Sequence, residues 1–115
     1  MKAKKILKKG YFWLEVVRMH YYFISNKKDF LKVLKHYNID RDLTHTKGRC
    51  MTLDNNGQTI IIIASFVDDL SVLVHECVHA ALFTFDYMGQ DLSYNDELLP
   101  YLTDTIYTEC VSKMK

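Results

Sequence analysis

The chain has almost no net charge: 15 lysines and arginines stand against 14 aspartates and glutamates, a formal +1 at pH 7. That balance provides no electrostatic pull toward nucleic acid or an anionic membrane, so neither is an expected partner. No apolar run approaches the roughly 18 residues that a membrane span requires. Cysteine is scarce, and Cys50, Cys77 and Cys110 form an odd, scattered set without C-x-x-C spacing. A disulfide framework is therefore not expected, and a reducing compartment such as the cytoplasm fits. No internal repeat, low-complexity tract or linker divides the 115 residues, so one domain spanning 1–115 is expected.

What the chain does have is an ordinary globular composition, 49% hydrophobic and 25% charged, with eight tyrosines. Its basic residues are uneven, because Lys2, Lys4, Lys5, Lys8 and Lys9 fall within the first nine positions. Such a start reads as a frayed, solvated terminus over 1–9. The apolar residues 11–14 follow, but Glu15 and Arg18 interrupt them before a leader's apolar region could form, and no cleaved leader is expected.

Residues 11–24 are aromatic and β-branched, which favours one strand buried on both faces. Asn26 can cap a helix over 27–37, in which Phe30, Leu31, Leu34 and Tyr37 recur at helical spacing. Residues 39–48 are polar and read as a connection. Two β-type runs, 50–53 and 59–65, flank Asp54-Asn55-Asn56-Gly57, and Asn-Gly between such runs is a strong hairpin signal. Four successive isoleucines, Ile60 to Ile63, suit a strand covered on both faces. A helix capped by Asp68 or Asp69 follows, running to about residue 87 and ending near Gly89, and it is apolar nearly all round. A last helix covers roughly 95–111. The expected fold is α+β: a small three-stranded, mostly antiparallel sheet packed on the 70–87 helix, the C-terminal helix and one further helix.

Within the apolar helix lies His75-Glu76-Cys77-Val78-His79, where polar side chains are otherwise costly. Residues four apart share a helix face, so both imidazoles can point at one centre, as two ligands of a tetrahedral zinc do. Glu76 projects beside that centre, where a general base would stand. The bland alternative is a pair of hydrogen-bonded core histidines. A third ligand is sought in 95–104, where Glu97, Tyr101 and Asp104 share a face opposite the apolar stripe and are expected to look across at the histidines. Glu97, eighteen positions beyond His79, is the expected ligand. Asp104 is then a carboxylate able to accept a ligand histidine's free ring N–H, and Tyr101 a donor to a developing oxyanion. Pro100 requires the helix to start near Asp96 or Glu97 or to kink, and Asp96 stays a rival ligand.

The stretch Leu73-Val74-His75-Glu76-Cys77-Val78-His79-Ala80-Ala81, with Asn95-Asp96-Glu97 and Tyr101-Leu102 after it, resembles small metallopeptidase-like proteins encoded in bacteriophage genomes. More distantly it is similar to the gluzincin branch of zinc peptidases. The resemblance implies a minimal zincin-like domain, with His75, His79 and Glu97 as zinc ligands and Glu76 as the catalytic residue, acting in a host cytoplasm. Two departures stand out: Tyr101 occupies the place, four after the ligand Glu, where gluzincins often carry Asp, and the large C-terminal subdomain of bigger members is not expected here. The expected activity is hydrolysis of a peptide bond with Zn²⁺ as cofactor, the peptide adding as a strand to a sheet edge. The competing expectation is a zinc-stapled, non-catalytic module that docks on a host or regulatory protein.

Overall fold

The computed structural model describes residues 1–89 and 97–114. Their elements run α1 (Ala3–Gly10), β1 (Tyr11–Leu14), β2 (Met19–Ile24), α2 (Lys27–His36), β3 (Gly48–Asn55), β4 (Gln58–Ser65), α3 (Leu70–Met88) and α4 (Leu98–Lys113). The isoleucine run dictates the layering. Successive strand residues point to opposite faces, so Ile61 and Ile63 enter one core while Ile60 and Ile62 enter another. The first core holds Leu73, Cys77 and Ala81 of α3 with Leu102, Ile106 and Cys110 of α4. The second holds Ile6 and Leu7 of α1 with Phe30, Val33 and Leu34 of α2. Both faces of the sheet are thus covered by helix pairs, as four consecutive apolar residues require.

The sheet order is β1-β2-β4-β3, with β1/β2 and β3/β4 antiparallel and β2/β4 parallel. This corrects the expected three-stranded sheet to a four-stranded mixed one. The difference arises at 11–24, which is a hairpin and not one strand: Arg18 adopts φ 55° and its N–H donates to the Leu14 carbonyl at 2.7 Å. The 1–9 expectation is corrected as well. Residues Ala3–Gly10 are helical, with Ile6, Leu7 and Gly10 buried and the lysines outward. Gly10 is required by space, since a Cβ there would lie 1.8 Å from the Phe23 carbonyl oxygen.

Local signals behave as expected elsewhere. Asn26 caps α2, its side-chain oxygen accepting from the Asp29 N–H at 2.8 Å. Asn56 and Gly57 take φ of 55° and 84° at the β3–β4 turn. Pro100 is the third residue of α4, inside the first turn where its missing N–H breaks no helical bond, so the helix starts at Leu98 without needing a kink. No described helix is long and apolar enough to cross a membrane.

Between sheet and α3, the fully buried Tyr21 shares a hydrogen bond of 2.8 Å with Thr84, whose hydroxyl donates to the Ala80 carbonyl. Burial raises the phenol from 10.0 to about 12, against the lowering effect of the Thr84 bond. The folded state therefore holds this proton more tightly than the unfolded chain does. The resulting stability is complete below pH 10 and is lost as pH rises through about 12. Two units correspond to about 3 kcal/mol. Denaturation profiles are expected to decline over that window, and Tyr21→Phe to remove this part of the decline; an unchanged alkaline slope in Tyr21→Phe would refute the assignment.

Candidate metal centre

Asp69 opens α3, its side chain accepting from the Ser71 N–H at 2.9 Å, and Gly89 closes it in the left-handed region at φ 70°. Between these stops, Leu73, Cys77, Ala80, Ala81, Thr84 and Phe85 are buried. His75 and His79 lie on the opposite, exposed face, one turn apart. Their Nε2 atoms approach to 3.2 Å, with ring centroids 4.8 Å apart and planes at 78°. The His79 ring stacks on Phe83, 6.3 Å away at 26°, which extends the row by a further turn.

Glu76, one residue on, turns inward and is only 7% exposed. It borders a recess with Thr46, Lys47, Gly48, Ser71, Val72 and His75, where α3 crosses the start of β3. Burial is the main influence that lifts its carboxyl above the usual glutamate value, and His75, His79 and Arg49 pull it part of the way back. Gly48 makes this position possible: a Cβ there would meet Val72 Cγ1 at 2.9 Å and Glu76 Cγ at 3.1 Å. Sequence reasoning passed over Gly48 as the end of a connection. A glycine opening a β-type run is nonetheless a signal for close approach by another element.

Two ligands of a tetrahedral zinc, each about 2.0–2.1 Å from the metal, stand about 3.3–3.4 Å apart. The 3.2 Å between His75 Nε2 and His79 Nε2 meets that requirement, and both nitrogens sit on an exposed face that a metal can reach. The cysteines offer nothing to such a site. Burial pushes the Cys50 thiol up, and a hydrogen bond that the Cys110 thiol donates to Cys77, together with burial, does the same for Cys110, which favours the protonated form of both.

The expected third ligand is placed differently. Glu97 is the N-cap position of α4, exposed and without a side-chain capping bond. Glu97, Tyr101 and Asp104 do share a face, lining one recess with Leu98 and Pro100, but that recess includes neither histidine. No hydrogen bond joins Asp104 to His75 or His79, and the described residues contain no group of three His, Cys, Asp or Glu side chains able to hold a metal. The reason lies in helix phase. Leu102, Ile106 and Cys110 are the buried side of α4, so the face opposite that stripe is turned away from α3. Asn95 and Asp96, the rival ligand, lie outside the described residues. His75, Glu76 and His79 are thus brought together, and Glu97, Tyr101 and Asp104 form a second group.

Comparison with protein-family models, with curated proteins and with solved structures finds no match for this chain.

Proposed function

We propose that the chain is a small zinc-dependent peptidase of zincin-like build. The observation that carries this reading is the 3.2 Å spacing of two exposed Nε2 atoms beside a buried glutamate. His75 and His79 would hold the metal through Nε2, and a bound zinc would supply Lewis-acid activation of water and of a carbonyl oxygen at neutral pH. Glu76 accepts the proton of the attacking water at its carboxylate and returns it to the leaving amine. Its burial suits it to take up that proton, since a carboxylate lifted above the usual range is a stronger base than an exposed one. Glu97 is proposed as third ligand, with Asp96 and Asp104 as rivals; Tyr101 is proposed to donate to the oxyanion and Asp104 to support a ligand ring. These roles require α4 to turn the face bearing Glu97, Tyr101 and Asp104 toward α3, from which its apolar stripe now turns it away.

Substrate binding by strand addition draws support from β3, an edge strand whose first residue, Gly48, lies against Glu76. Three free cysteines, two of them buried, support action in a reducing cytoplasm, which on the resemblance would be that of a phage host. A second reading, a zinc-binding module without turnover that docks on a host or regulatory protein, is favoured by the outward face that carries Glu97.

Elemental analysis tests the metal. Wild type is expected to retain about one zinc and His79→Ala to bind it at least tenfold more weakly. A shared proton between two imidazoles would give the same 3.2 Å spacing, and a chain that takes up no zinc would establish that alternative. Zinc lost in Glu97→Ala assigns the third ligand, while zinc kept there transfers it to Asp96 or Asp104.

A further inference from the structure

The near-neutral total charge conceals a local imbalance. Lys4 and Lys8 lie one turn apart on α1, and both border an open recess of about 530 Å³ with Tyr11, His20, Tyr22 and His36. Eleven residues line it, and none is an aspartate or glutamate. The volume falls within the range of roughly 300–1,000 Å³ typical of small-molecule sites.

Strand register explains the aromatic wall. Tyr11 faces Tyr22 and Trp13 faces His20 across β1 and β2, all on the α1/α2 side of the sheet. The two helices cover that side only in part, leaving Tyr11, His20 and Tyr22 half-exposed. Their rings form a continuous row of contacts: Tyr11 stacks on His20 at 5.7 Å and 30°, while Tyr22 lies 5.2 Å from Tyr11 at 48° and Trp13 lies 4.7 Å from His20 at 50°. Tyr11 Oη lies 2.8 Å from His20 Nδ1. Where the phenol donates, the imidazole carries its proton on Nε2, a donor left for a ligand. Asn55, Asn56 and Gln58 of the β3–β4 turn close one side with amide donors and acceptors.

We propose that this recess binds a nucleoside phosphate, its base stacked on the Tyr11–Tyr22 rings and its phosphate held by Lys4 and Lys8. The pairing of half-exposed aromatic rings with adjacent cations, and with no competing carboxylate, matches the two halves of that ligand, the base stacking on one ring and meeting the other at its edge. The site is separate from the histidine pair. It lies on the opposite face of the sheet and at its other end, beside the 55–58 turn, whereas Gly48 and Ser65 mark the end nearest Glu76. The unit can come free or as part of a single strand, and one experiment distinguishes the two sources.

The full chain is titrated at fixed ionic strength with adenosine 5′-monophosphate, adenosine and ribose 5-phosphate, followed by ring resonances of Tyr11, His20 and Tyr22 and by calorimetry. The nucleotide is expected to shift those resonances, and each half-ligand to bind at least about tenfold more weakly. The double variant Lys4→Glu/Lys8→Glu, at two exposed helix positions, is expected to lose about tenfold or more, while Lys28→Glu loses less than about twofold. His20→Ala is expected to weaken the nucleotide and not ribose 5-phosphate, and His75→Ala to leave it unchanged. An oligonucleotide that binds more tightly with each added nucleotide identifies a strand as the source; equal affinity per nucleotide identifies the free form. Equal binding of nucleotide and ribose 5-phosphate, or no loss in the double lysine variant, would overturn the proposal.

Discussion

Glu76→Gln is expected to keep its zinc and to lower the rate of peptide hydrolysis by about 10²- to 10⁴-fold, the usual contribution of a positioned general base. The substitution preserves shape in a tight place, with Gly48 and Val72 against the side chain, so the fold and the histidine spacing are expected to persist. It also removes an ionisable group that burial disfavours as a charge, so thermal stability is not expected to fall. The measurement pairs zinc content with turnover of an unstructured peptide mixture in wild type and variant. Wild-type turnover that survives in the variant would exclude Glu76 as the base. If wild type holds zinc but hydrolyses nothing, and a protein partner binds wild type and Glu76→Gln equally, the non-catalytic reading replaces the peptidase.

The second large effect concerns the fold. Gly10→Ala places a methyl group 1.8 Å from a main-chain oxygen of β2, and the nearest atoms are all Phe23 backbone, so no flexible side chain can give way. Relief requires α1 to lift from β2, exposing Ile6 and Leu7. A loss of about 3 kcal/mol or more is expected, with the melting temperature falling by about 10 °C or more. Gly57→Ala provides the contrast: nothing lies within 4 Å of that Cβ, and only φ of 84° opposes it, so a cost of about 1 kcal/mol is expected. Equal stabilities for the two variants would show that the α1–β2 approach is looser than described here.

Much of this architecture is legible because local chemistry and tertiary need agree. Asn26, Asn56-Gly57, Asp69 and Gly89 each perform in the structure the capping or turn role their side chains favour. The isoleucine run announces a strand covered on both faces. The 15–18 turn is hidden because Glu15-Val16-Val17-Arg18 contains no glycine, proline or asparagine, and Val17 is itself buried. α1 is hidden because five lysines dominate a segment whose only large apolar residues after Met1 are Ile6 and Leu7. The parallel joining of β2 to β4 leaves no local trace, since register between distant strands is settled by the layers on both faces.

The site divides in the same way. Helical spacing places His75 and His79 together and Glu76 beside them, because all three depend on one helix. It also puts Glu97, Tyr101 and Asp104 on a common face. Which way that face looks depends on how α4 packs, and its apolar stripe turns them outward. Periodicity within one helix cannot convey orientation between two.

The β2–β4 seam also bears on how the chain acquires its shape. Each hairpin closes over a short turn, whereas the seam sets His20 opposite Ile60 and needs α2 and the whole 37–47 connection drawn in first. Loop-closure entropy is met before that long-range contact repays it, so this pairing is expected to form more slowly than either hairpin. Until it forms, one side of β4 is an unpaired strand edge bearing four isoleucines. During that interval the newly made chain is most exposed to self-association, and the speed at which two hairpins find each other governs its yield.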